Sequence, residues 1–198
     1  MKIKLLGAAM LLALGISTAA HAEQYDIDTK GQHAFIQFQI RHLSFGWVIG
    51  QFRSFNGNFV VDDAHPERNS AKVNIDVASI DTNHAERDKH LRSADFFDVE
   101  HYPTATFVST SYKSTGKDTG ILNGVLTLHG VSKNVALDVH QLGVGSDPWG
   151  GYRRGFEART TLHLSDYNLK KGGMLGPLAE NVELFITLDG LRTKLFDK

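Results

Sequence analysis

The stretch Arg153–Leu164, RRGFEARTTLHL, sets Phe156, Ala158, Thr160, Leu162 and Leu164 on one side of an extended chain. Glu157, Arg159, Thr161 and His163 fall on the other. A period of two with one apolar face is the pattern of an antiparallel strand that is dry on one side and wet on the other. The pattern recurs outward from this segment. Val182, Leu184, Ile186 and Leu188 alternate with Glu183, Phe185, Thr187 and Asp189. Ala34, Ile36, Phe38 and Ile40, Val73, Ile75 and Val77, and Val135, Leu137 and Val139 do the same. Eight strands are expected, near residues 32–43, 50–61, 71–79, 104–112, 120–129, 133–142, 153–164 and 181–190. Turn chemistry separates them at Asp62–Pro66, Ser114–Gly116, His129-Gly130 and Gly143–Gly151. No repeat, low-complexity tract or linker interrupts the series, so a single all-β domain is expected, with eight antiparallel strands able to close as a barrel.

One segment breaks the pattern. Ser79–Phe107, SIDTNHAERDKHLRSADFFDVEHYPTATF, inserts a charged helical stretch and an apolar elbow between the third and fourth strands. Asn83 followed by Glu86 fits a helix N-cap with its capping partner, and residues 84–92 are rich in helix formers. Phe96 and Phe97 are the natural anchors of the excursion, and Pro103 restarts extended chain. Such a helix caps one end of a barrel and can also rim a binding mouth.

The first residues read as an export signal. Lys2 and Lys4 precede an apolar run from Leu5 to Ile16, and Ala20-His21-Ala22 is an A-x-A cleavage site. Residues 1–22 are therefore expected to be removed, leaving a barrel domain over residues 23–198 in the periplasm. The apolar run is too short for a bilayer core, which needs about 20 residues, so no stable membrane anchor is expected. The chain has no cysteine, so disulfides contribute nothing and stability rests on an ordinary core. Without Lys2 and Lys4, 19 basic side chains face 22 acidic ones, a net charge of −3. That balance argues against a nucleic-acid partner.

Motifs spread along the chain resemble the YceI-like family of exported lipid-binding proteins. They include His33-Ala34-x-Ile36-x-Phe38-x-Ile40-x-His42, Gly50-x-Phe52-x-x-Phe55-x-Gly57 and Ser79-Ile80-Asp81-Thr82. Arg87-Asp88-x-His90-Leu91, Asp95-Phe96-Phe97-Asp98 with Tyr102-Pro103-x-x-Thr106-Phe107, and Gly124-x-Leu126-Thr127-Leu128-His129-Gly130-Val131 follow in order. The resemblance implies a lipocalin-like barrel that binds, stores or transports a polyisoprenoid or similar long amphiphile of quinone or prenyl phosphate type, with no other cofactor. Two positions depart from the family pattern. Ala34 follows the first His where Ser is usual, and Leu164-Ser165 replaces Asn-Arg ahead of Asp166-Tyr167.

An eight-stranded barrel has an interior that side chains either fill or leave open for one ligand. Twelve Phe are enough to line such a space. The apolar-pocket candidates are Phe38, Ile40, His42, Phe52, Phe59, Ile75, Phe107, Leu126, Leu128, Phe156, Leu162, Leu184 and Ile186. His42 shares the face of Ile36, Phe38 and Ile40, as either a core histidine or a headgroup contact. Arg87, Asp88, His90, Arg92 and Trp47 are candidates for a headgroup and mouth. Trp47 lies in an apolar connection, LSFGWVIG, that suits either a mouth or a homodimer contact. Leu169–Ala179, LKKGGMLGPLA, reads as a glycine-hinged flap.

Enzymatic chemistry has weaker support. There is no G-x-S-x-G elbow and no Cys nucleophile, and Gly143-Val144-Gly145 and Thr115-Gly116-Lys117 are incomplete as nucleotide loops. The alternative is a metal-dependent periplasmic enzyme. On a helix, Glu86 with His90 and His84 with Asp88 share faces, and His101 is a further ligand candidate. A charged helix more often simply faces water, so no catalytic residue and no metal ligand is assigned.

Overall fold

The computed structural model describes residues 22–31, 33–169 and 177–196. The strands are β1 (Ala22–Ile27), β2 (Phe35–His42), β3 (Gly46–Phe52), β4 (Phe55–Val61), β5 (Ser70–Asp76) and β6 (Ile80–Asp81). After the helix α1 (Ala85–Arg92) come β7 (Thr104–Ser114), β8 (Thr119–Leu128), β9 (Val131–Ser146), β10 (Tyr152–His163) and β11 (Asn181–Phe196). All pairings are antiparallel. Strands β1, β4, β5, β7, β8, β9, β10 and β11 follow one another in the sheet, and β1 pairs back onto β11 to close a ring of eight.

The remaining strands extend this ring rather than add to it. Along one edge of β11, residues 182–187 pair with β2 and residues 190–196 pair with β1. Thus β1 and β2 lie end to end and occupy one strand position. In the same way β3 runs into β4 across Arg53-Ser54, and β5 runs into β6 through a 3-10 turn at Val77–Ser79. The eight expected strands are these eight positions.

Three boundaries differ from the sequence reading. β1 was not expected, because only Tyr25 and Ile27 carry its buried face. The second strand is interrupted at Arg53-Ser54, where its partner changes from β2 to β1. The helix cap is His84, not Asn83. His84 Nδ1 accepts from the Arg87 N–H at 3.2 Å, while Asn83 stands just outside with a left-handed φ of 60°.

The core fills the ring from both ends. At the end carrying α1, the rings of Phe38, Phe52, Phe97 and Phe96 form a chain with centroids 4.9–6.2 Å apart. These residues come from β2, β3 and the elbow that follows α1, so the excursion drives its two anchoring Phe side chains against the barrel end. At the opposite end Tyr25 stacks on Phe59 at 5.1 Å, and Phe156 meets Phe59 edge-on at 5.3 Å.

Candidate functional site: an apolar lumen

Between these aromatic groups the barrel holds a cavity of about 130 Å³. Its wall is hydrocarbon apart from Asn69, Ser70, Thr160 and the Tyr112 hydroxyl. Burial pushes the Tyr112 hydroxyl above its ordinary pKa, so it stays neutral. The cavity is close in size to an apolar cavity of about 150 Å³ that stays dry and takes up benzene. An isoprene unit is of similar bulk.

Three inward-facing glycines, Gly120, Gly124 and Gly190, shape this space, and a fourth, Gly50, repeats the arrangement outside it. Gly50 lies under Phe38, Gly120 under Tyr112 and Gly124 under Phe107, each ring from the adjacent strand, while Gly190 lies under Phe59, which reaches it from β4 across β1. A Cβ at any of them would overlap that ring. The missing side chain lets the ring lie along the wall instead of projecting across the lumen, a cross-strand arrangement open only to glycine.

Of the thirteen pocket candidates, Phe59, Ile75, Phe107, Leu126, Phe156, Leu162, Leu184 and Ile186 line the cavity. Phe38, Ile40, Phe52 and Leu128 do not. Ile40 is buried core, while Phe38, Phe52 and Leu128 pack partly buried against that core. His42 has the inward parity but lies at the exposed end of β2, so it joins neither the core nor the lumen. The lining also includes Ile36, Val73, Leu122, Val135, Leu137, Val139, Ala158 and Leu188. All of these occupy the apolar phase of an alternating strand, so period two alone was the signal that could have found them.

The α1 candidates have other engagements. Buried Asp88 accepts from the Thr82 N–H at 2.9 Å and the Thr82 hydroxyl at 2.5 Å. Arg87 donates to the same hydroxyl at 2.7 Å and to the Thr82 carbonyl at 2.8 Å. Arg92 donates to the carbonyls of Ala78 and Ile80, both at 2.6 Å. These three side chains fasten α1 to the strand before it, while His90 is exposed. Trp47 is on the outer surface, 43% exposed, with the Arg41 guanidinium 4.8 Å from its ring. Residues 170–176 of the expected flap, and residues 1–21 of the expected leader, lie outside the described residues. Pro177–Glu180 form a 3-10 turn, and the Glu180 carboxylate accepts from the Ser165 N–H at 2.8 Å.

The potential metal ligands are likewise engaged or apart. His84 caps α1, Asp88 holds Thr82, and His101 pairs with Asp98 at 2.9 Å. Asp28, His33 and Asp189 do gather elsewhere. Arg153 already supplies positive charge there, at 2.8 Å from Asp28 and 3.0 Å from Asp189.

A polar group the sequence reading missed sits beyond Phe156. Arg154 is 3% exposed on the inward face of β10 and makes a two-pronged pair with Asp63, both bonds 2.7 Å. It also donates to Gln141 at 3.1 Å. Burial is the strongest influence and opposes its charge, but the Asp63 carboxylate and the Tyr25 hydroxyl together outweigh it, so the guanidinium stays ionised. The same pair lowers the Asp63 pKa. Arg154 thereby ties the connection after β4 to the barrel wall. Its place on the Phe156–Ala158–Leu162 face was the available clue: a cation in the apolar phase.

A family model described as the YceI-like domain matches residues 25–189. The chain belongs to the YceI-like family. A UPF0312 protein of Ectopseudomonas mendocina is 50% identical over 187 residues, covering 94% of this chain and 97% of that one. Protein YceI of Escherichia coli is 47% identical over 194 residues, covering 98% and 100%. Among solved YceI-like structures, a Campylobacter jejuni YceI protein superposes with a TM-score of 0.70 at 29% identity, covering 78% of this chain and 91% of its own. A polyisoprenoid binding domain from Saccharophagus degradans shares the fold, with a TM-score of 0.63 at 20% identity over 85% and 98% of the two chains.

Proposed function

We propose that this YceI-like barrel binds a polyisoprenoid or similar long amphiphile, of quinone or prenyl phosphate type, and stores or carries it in the periplasm without catalysing a reaction. The apolar lumen carries this reading. A neutral hydrocarbon wall with few polar atoms gains free energy by burying methylene and methyl groups, about 0.8 kcal/mol each, and offers no pair of acid and base groups to a reacting centre. The polyisoprenoid binding named for the Saccharophagus degradans domain supports the same ligand class, and the A-x-A leader supports the compartment.

A cavity near benzene size accepts one isoprene unit as it stands, so a longer tail must displace rings such as Phe59 and Phe156. The test is organic extraction and native mass spectrometry of the protein purified without denaturation, followed by addition of a prenyl alcohol and its phosphate to the stripped chain. Bound prenyl lipid from either route is expected, and Ala158→Phe, which fills the lumen, abolishes it. Finding no lipid in the extract and none on addition overturns the proposal.

A further inference from the structure

The hairpin of β2 and β3 stands clear of the barrel at the α1 end. β11 accompanies β2 only as far as Ile40, and β6 accompanies β3 only at Gln51 and Phe52. Residues 46–50 of β3 therefore keep one edge without a strand partner among the described residues. The tip is apolar where water would favour polar groups. Phe45 is 82% exposed and Ile49 61%, with Leu43 and Trp47 beside them. Leu43 has a φ of 53°, a left-handed conformation that suits Gly or Asn and costs a leucine. Neither an exposed Phe nor a strained Leu serves folding, so the composition of this tip points to a partner.

Charge narrows the partner. Residues 29–61 contain no Asp or Glu, while Lys30, Arg41 and Arg53 fall within them. At the base of the hairpin Arg53 is paired with Asp81 at 3.3 Å, and on the wall Gln39 holds Glu183 at 2.6 Å. At the tip Arg41 lies over Trp47 and donates to the Ser44 carbonyl at 3.4 Å, and no carboxylate among the described residues pairs with its charge. We propose that this tip docks the protein on an anionic lipid bilayer, with Leu43, Phe45 and Trp47 entering the headgroup region and Arg41 against the phosphates. A second copy is the poorer occupant, because two facing tips bring Arg41 against Arg41. The open edge of β3 sets the depth. Its backbone groups would be costly in hydrocarbon, and Trp with Arg suits the interface.

The opposite end of the barrel is the built-in control. Trp149 is 79% exposed there, but Asp147, Asp28 and Asp189 surround the single Arg153, and that excess of negative charge repels an anionic surface. Trp47 and Trp149 are the two tryptophans of the chain, so Trp149→Phe leaves Trp47 as the sole reporter.

Vesicles of phosphatidylcholine with a minor share of phosphatidylglycerol are added to that variant. The expected result is a blue shift of Trp47 emission, quenched by brominated acyl chains and weakened by salt. Phe45→Ser lowers the vesicle partition coefficient by about tenfold or more, the loss expected for one buried aromatic. Leu43→Asn also weakens binding while raising the melting temperature. Organic extracts of these variants retain the lumen's lipid, so docking and lumen binding fail separately. No shift with any vesicle overturns the proposal, as does unchanged partition of Phe45→Ser. A shift that follows protein concentration without vesicles overturns it in favour of a second copy.

Discussion

Thr82 shows how a single residue decides what its neighbours are free to do. Its hydroxyl accepts from Arg87 and donates to Asp88, and its N–H donates to Asp88 as well. Asp88→Ala leaves two buried donors without an acceptor, each costing about 1–3 kcal/mol. The expected loss of about 2–6 kcal/mol lowers the melting temperature by roughly 4–24 °C. Glu86→Ala, two residues earlier in α1 and exposed, stays within about 0.5 kcal/mol. Arg87→Ala is expected to destabilise while leaving the ratio of affinities for a prenyl phosphate and its alcohol unchanged. Calorimetry with both ligands checks this, and a selective loss of the phosphate would return Arg87 to the headgroup. The charged helix was legible as a helix, but the engagement of Arg87 and Asp88 was not. It depends on where β6 ends and presents Thr82, which is a tertiary fact with no local pattern.

Among the elements, the barrel walls were the most legible part, because each strand is dry on one side and period two records that directly. The breaks within strand positions were not, because β1 and β2 share one edge of β11 and only the register shows where one partner gives way to the next. Arg153 secures that junction by joining Asp28 after β1, Asp189 on β11 and Asp147 after β9. Its hydrogen bonds hold the Asp28 and Asp147 carboxyls below their ordinary pKa. A carboxyl depressed in the folded state stabilises fully above its unfolded value, about 3.9, and loses that contribution as the pH falls through the folded value. The melting temperature is therefore expected to be flat near neutrality and to drop below about pH 4. Arg153→Gln lowers it at neutral pH and flattens the acid slope; an unchanged slope would assign acid sensitivity to other groups. His101 has the opposite sign. Asp98 raises its pKa, so its contribution is present at low pH and fades as the pH rises through the folded value.

For the whole molecule, the alternation identified a barrel but could not distinguish a filled interior from a hollow one. Eight of thirteen candidate positions do face the cavity, yet Ile40 and Phe38 share their phase and lie outside it, Ile40 in buried core and Phe38 packed partly buried against that core. Around the cavity, Gly120, Gly124 and Gly190 beneath the Tyr112, Phe107 and Phe59 rings keep those rings against the wall. Gly190→Ala is expected to push the Phe59 ring into the lumen and exclude the tail, with far-ultraviolet circular dichroism unchanged and lipid absent from the extract. Gly143→Ala, which has open space around its Cβ, leaves loading intact. The calibre of the tube is thus written in residues that have no side chain. Adding or removing a methyl under a ring moves a much larger group, so one-carbon changes in the wall translate into whole-ring changes in bore. A barrel built this way can change the bore of its lumen without altering a single strand, turn or charge.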